Sequence, residues 1–162
     1  MRGVGALRRP SAPVQDAAPD GCILLASEGR AIPPAAIELS ARLAEEHGCH
    51  VHVLAVVRVW GSSYGFPNPG LLPNKSEWEA QRAVTAAAVK ALGKRGVKAT
   101  AQVLATRKAT KRILGTATRL GCVTIVMAAD EPRNRIVADL MWSQEPYRVK
   151  RRAKVPVLLV TD

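Results

Sequence analysis

Apolar residues along this chain come in two rhythms. Five short, nearly continuous runs, CILLAS (22–27), CHVHVLAVV (49–57), VKATAQVLA (97–105), CVTIVMAA (122–129) and VPVLLVTD (155–162), read as strands buried on both faces. Between them, apolar positions recur at helical spacing. Residues 33–47 set Ala36, Leu39 and Leu43 on one stripe that the small Ser40 joins, with Glu38, Arg42 and Glu45 turned away. Residues 76–95 repeat the pattern with Ala80, Val84, Ala87 and Ala91, and residues 109–120 with Ala109, Ile113, Ala117 and Leu120. Three times a helix-like stretch ends in Gly and a strand-like run follows at once: RLAEEHG before CHVHV, KALGKRG before VKATA, TATRLG before CVTIV. Glycine accepts the left-handed conformation that closes a helix, and β-branched runs then favour extended chain.

The alternation is therefore β-α-β-α-β-α-β-α-β. Strands this apolar, each joined to the next by a helix, need cover on both sides, and right-handed crossovers supply it. The predicted fold is a three-layer, doubly wound, Rossmann-like α/β domain with a five-stranded parallel sheet. Ligands of such folds bind at the carboxyl ends of the strands, near the switch in strand order. Those ends fall at residues 26–29, 56–60, 105–108 and 128–135.

Composition refines this picture. Residues 1–20 are rich in Ala, Pro and small polar side chains and bury too little to offset their ordering entropy, so they are expected to be a disordered tail before a domain spanning 21–162. No apolar run is long enough for a membrane span or a signal peptide, which gives the expectation of a cytoplasmic chain. The net charge of +11 is uneven: residues 1–57 hold five Lys/Arg and six Asp/Glu, leaving nineteen basic and seven acidic residues in the remainder. Such a field favours anionic partners. Because the basic residues are not interleaved with stacking aromatics, nucleic acid is disfavoured; exposed helix faces are the commoner reason for such composition, and an acidic protein is a further candidate partner.

The order of parts resembles the universal stress protein family. CILLASEGRAIPPAAIELSARLAEEHGCHVHVLAVV resembles that family's first strand, Asp-Gly-Ser turn, first helix and second strand. ATRKATKRILGTATRLGCVTIVMAA resembles its third strand end, third helix and fourth strand, and RRAKVPVLLVTD its closing strand. The resemblance implies strand order 3-2-1-4-5, homodimers through the last strand (here Val155–Val160) and, in one subgroup, bound ATP. In that subgroup the first strand ends in an Asp that reads adenine, and the fourth strand leads into Gly-x-x-Gly, nine residues, then Gly-Ser or Gly-Thr. Here the Asp position is Glu28, followed by Gly29 and then Arg30 in place of Ser. The loop glycines fall on Ala128, Glu131, Met141 and Trp142, and a one-residue insertion is needed to use Ser143.

Every phosphate-loop position thus departs from the pattern. Glycines there let backbone N–H groups approach phosphate oxygens, and side chains obstruct that approach. Glu131 adds like charge, which costs about 4 kcal/mol for a unit pair about 4 Å apart at an effective dielectric of about 20, or on the order of three decades of affinity. Arg133 and Arg135 offer donor forks to phosphate, but a solvated loop in which they pair with Asp130, Glu131 or Asp139 is the expected arrangement. A vestigial or remodelled nucleotide cleft would be lined by Ser27, Glu28, Val56, Ala128, Arg133, Arg135 and Ser143. Glu28 itself is expected to be solvated.

Other candidates have plain explanations. Cys22, Cys49 and Cys122 each follow a Gly at a strand start, and packing as free, buried thiols is expected, since parallel neighbours make poor disulfide geometry and the cytoplasm is reducing. His50 and His52 share one strand face without a third metal ligand in view. The segment RVWGSSYGFPNPGLLPNK (58–75) carries Trp60, Tyr64 and Phe66 at the cleft end, as a lid or as packing. Arg107, Lys108, Lys111 and Arg112 crowd the start of the third helix, where positive charge opposes the helix dipole; an anion or acidic partner would compensate it, but a tolerated exposed cluster is the expected reading. No nucleophile elbow, Walker loop or zinc spacing is present, and Ser27 and Ser143 lack an assigned base. The sequence therefore predicts a non-catalytic module for stress-response regulation or protein interaction, with its ATP motif lost and no cofactor or metal. A nucleotide-binding protein with a rebuilt phosphate site is the first alternative, and a basic nucleic-acid-associated protein the second.

Overall fold

The five apolar runs form strands β1 (Cys22–Ser27), β2 (His50–Arg58), β3 (Ala99–Thr106), β4 (Cys122–Ala129) and β5 (Val157–Thr161), alternating with helices α1 (Pro34–His47), α2 (Lys75–Lys94), α3 (Ala109–Leu120) and α4 (Glu145–Arg152). The structure, a computed structural model, describes residues 21–59, 72–130 and 144–161. Every strand pairing is parallel and the order is β3-β2-β1-β4-β5, as the sequence and its resemblance predicted. The tail at 1–20, the aromatics Trp60, Tyr64 and Phe66, and Glu131, Arg133, Arg135, Asp139, Met141, Trp142 and Ser143 lie outside the described residues.

Local chemistry sets the element ends. Helix α1 starts with Pro34 in its first turn, where a missing N–H costs nothing. Helix α2 opens on a capping box: the Asn74 side chain accepts from the Glu77 N–H at 3.0 Å, and the Glu77 carboxylate accepts from the Asn74 N–H at 2.7 Å. The predicted closing glycines Gly48, Gly96 and Gly121 all take left-handed backbone, with φ of +62°, +76° and +64°.

Alternate residues of the central strands split the core into two layers, as the two-residue strand period requires. Leu24, Leu54, Ile125 and Met127 pack under α3 and α4 with Ile113 and Val149. Ile23, Leu25, Val53 and Val126 pack under α1 and α2 with Ala41 and Leu92. The stripe of α3 is as predicted, except that Leu120 is only half-buried. Those of α1 and α2 are turned by about a residue: Ala36, Ser40, Ala41 and Ala44 are buried with Leu39 and Leu43 at the flank, and Thr85, Ala88 and Leu92 replace Ala80 and Ala87. Alanines on several sides of α2 leave the phase of its pattern open, and the large Leu92 resolves it.

The cysteines require a correction. Cys22 and Cys122 are paired residues of β1 and β4 and are joined in a disulfide. The register shifts between Cys22 and Ile23, bringing the two Cα atoms to 4.2 Å, nearer than the usual spacing of about 4.8 Å between strands. That irregularity is what an argument from ideal parallel geometry missed. Cys49 is a free thiol packed on the opposite sheet face, and burial pushes its pKa up.

Candidate functional site

The chain runs from β1 outward to β2 and β3, then returns to place β4 on the other side of β1. The loops leaving β1 and β4 therefore part in opposite directions, which opens a crevice at the carboxyl ends of these two strands. The residues at that crevice form two charged groups.

The first group is built on the turn after β1. Ser27, buried, donates its hydroxyl to the Arg30 carbonyl at 2.6 Å and accepts from the Gly29 N–H at 3.3 Å. Gly29, at φ +109°, occupies backbone that a side chain would strain. Gln81 of α2 donates to the Gly29 carbonyl at 3.1 Å and ties the turn to the helix layer. This folding turns Glu28 inward, where only 1% of it is exposed. The expected solvated glutamate is thus a buried one, held inward by the two bonds of Ser27 across the turn. Arg30 Nε lies 2.5 Å from Glu28 Oε1, and Arg30 Nη1 lies 3.2 Å from Asp130 Oδ1. Because Asp130 follows β4, Arg30 spans the crevice from one lip to the other. Burial drives the Glu28 carboxyl above its ordinary value of 4.5, against the weaker downward pulls of Arg30 and Arg58.

The second group centres on Glu145, the first residue of α4, which is 6% exposed. Its carboxylate meets Arg58, at the end of β2, at 3.3 Å and Arg148, one helical turn on, at 3.2 Å. It also accepts a hydrogen bond from the Thr110 hydroxyl in the first turn of α3. Glu145 therefore joins three elements at one point. Tyr147 adds a bond from its hydroxyl to the Asp130 carbonyl, 2.8 Å, which links α4 back to the end of β4.

Of the residues assigned to the cleft from sequence, Ser27, Glu28 and Val56 are buried and Ala128 is partly exposed, all on β1, β2 and β4 at or next to this end of the sheet. Arg133, Arg135 and Ser143 fall outside the described residues. Asp130, one of the three acids expected to pair with Arg133 or Arg135, pairs with Arg30. Arg58, Thr110, Glu145 and Arg148 were not foreseen. An acid directly before Pro at a helix start, Glu145-Pro146, was the one local signal available for any of them. Toward the amino-terminal end of β2, away from the cleft, His52 pairs with Thr100 at 2.7 Å, and burial lowers its pKa.

Comparison with known proteins follows the same outline. The chain matches the universal stress protein family over residues 22–161. A universal stress protein from Archaeoglobus fulgidus, solved in complex with dAMP, superposes with a TM-score of 0.63 at 17% identity, covering 86% of this chain and 96% of that one. A family member from Burkholderia pseudomallei gives 0.60 at 20% identity over 85% and 94% of the two chains. A universal stress protein in complex with cAMP gives 0.60 at 13% identity over 88% and 97%. No curated protein matches.

Proposed function

The chain belongs to the universal stress protein family, and from that premise we propose that it is a non-catalytic regulatory module whose nucleotide crevice is filled by its own side chains. The observation that carries this reading is Arg30 lying between Glu28 and Asp130 across the crevice mouth, at 2.5 and 3.2 Å. With Arg58 and Arg148 on Glu145, three arginines among the described residues face three carboxylates, so these three are already compensated before any anion arrives. An incoming phosphate would have to take an arginine from its partner and leave a buried carboxylate uncompensated, a loss of several kcal/mol. Glu28 is also buried and ion-paired with Arg30, so a base would have to displace Arg30 to reach it.

A second reading has specific support: two structural relatives were solved with adenine mononucleotides, dAMP and cAMP. In that case Arg30 swings aside and Glu28 takes a base amino group, with Arg133 and Arg135 on phosphate. Equilibrium binding of ATP, ADP, dAMP and cAMP at moderate salt separates the two. No binding up to millimolar nucleotide is the expected result. Micromolar binding that disappears in an Arg133→Ala/Arg135→Ala variant would establish the second reading instead.

As an interaction module the chain is proposed to be a homodimer through β5. That strand closes one side of the sheet with a free edge, and Leu158 on it is 38% exposed. An apolar free edge is normally paired or guarded. Mass in solution tests this, and a monomer at high concentration would refute it.

A further inference from the structure

The two faces of the sheet differ in charge. On the α1–α2 side, residues 34–47 and 75–98 carry seven Lys/Arg among five Glu. On the α3–α4 side, residues 107–120 carry five Lys/Arg and no acid, and residues 145–154 carry five with one acid. That one acid, Glu145, is buried and already paired. The nine cations Arg107, Lys108, Lys111, Arg112, Arg119, Lys150, Arg151, Arg152 and Lys154 are all exposed, and among the described residues none of them pairs with a carboxylate.

Helix energetics explain only part of this placement. Four of the nine sit at or near the start of α3, where the helix dipole already carries positive partial charge. In α4, Lys150, Arg151 and Arg152 fill the last turn, where the dipole favours cations, so it is the four at the start of α3 that helix energetics leave unexplained. Nine exposed like charges on or beside two adjoining helices raise the free energy of the isolated domain, and an anionic partner lowers it.

The character of the surface selects the partner. A protein–protein interface has an apolar or aromatic centre and is depleted in Lys, yet Tyr147 is the one large apolar or aromatic side chain well exposed on these two helices, and its hydroxyl is turned to Asp130. The lack of aromatics also argues against single strands, whose bases stack on aromatic platforms. It does not argue against a duplex backbone, which is bound by charge and donor forks alone. Helix α3 has twelve residues, a length of about 18 Å, along which a duplex presents about ten phosphate charges at one per ~1.7 Å. Five of the nine cations are arginines, whose planar forks suit phosphate oxygens. We infer that the α3–α4 face docks on the phosphodiester backbone of double-stranded nucleic acid, without base readout. This goes beyond the reading of the crevice and holds whether or not a nucleotide enters it.

The test uses the full chain and a 30-base-pair duplex of mixed sequence, with binding measured from 50 to 200 mM salt. Three quadruple variants are compared: Lys150→Gln/Arg151→Gln/Arg152→Gln/Lys154→Gln on α4, Lys108→Gln/Lys111→Gln/Arg112→Gln/Arg119→Gln on α3, and Arg42→Gln/Lys90→Gln/Lys94→Gln/Lys98→Gln on the opposite side. Each lowers the net charge from +11 to +7. The expected result is sequence-independent binding with a log–log salt slope of about −4 or steeper. Affinity then falls at least tenfold in the α3 and α4 variants, with a shallower slope, and changes little in the third. Equal losses in all three, or no duplex binding at 50 mM salt, would overturn the inference. Polyglutamate binding as tightly as the duplex would also overturn it, in favour of an acidic polypeptide.

Discussion

Glu28 at the end of β1 and Glu145 at the start of α4 are both carboxylates buried at the cleft end of one sheet, 1% and 6% exposed. Their surroundings differ. Glu145 is gripped by two arginines from different elements and by a threonine hydroxyl. Glu28 has Arg30 as its ion-pair partner, and neither of its oxygens meets hydrogen-bond geometry with a described group. Burying a carboxylate is expensive in either case, and what separates the two is how fully that cost is offset. Glu145 is a structural joint between β2, α3 and α4. Glu28 is a retained acid at the crevice, which the fold tolerates more than it exploits.

Removing Glu145 gives the larger effect. Glu145→Ala strips Arg58 and Arg148 of their shared partner and leaves the Thr110 hydroxyl without its acceptor, and breaking a buried pair in this way costs about 3–5 kcal/mol. Urea unfolding at neutral pH measures it. A loss below about 1 kcal/mol would place Glu145 with ordinary surface ion pairs and erase the distinction between the two acids.

The sequence carried the frame and not the joint. Strand and helix order were legible because β1, β2 and β4 are nearly uninterrupted apolar runs and because Gly48, Gly96 and Gly121 mark three helix ends. The location of the cleft followed from topology. Its content did not: Glu28 reads as solvated until the turn through Ser27 and Gly29 is seen to fold it inward. Arg58 and Glu145 are 87 positions apart in sequence (145 − 58) and meet only through the packing of α4. Likewise, the Cys22–Cys122 pair depends on a register shift that no strand pattern encodes.

The smaller and more discriminating effect is expected at Glu28, and its sign differs from that at Glu145. Burial holds the folded-state pKa of Glu28 above the unfolded value of 4.5. The folded state therefore binds the proton more tightly than the unfolded one. Stability contributed by Glu28 is fully present below pH 4.5 and is lost as pH rises through the raised folded value. Glu28→Gln keeps the shape, removes the titration and leaves Arg30 its bond to Asp130, so the variant gains on the wild type as pH rises through that window. His52 titrates the other way: burial lowers its pKa from 6.5, so its contribution is lost as pH falls below neutrality. Because His52 is present in both proteins, it cancels in the difference. Thermal unfolding of the pair from pH 4 to pH 8 reads that difference directly. A variant that falls behind the wild type with rising pH would mean that Arg30 more than compensates Glu28, making the crevice carboxylate a second structural joint like Glu145.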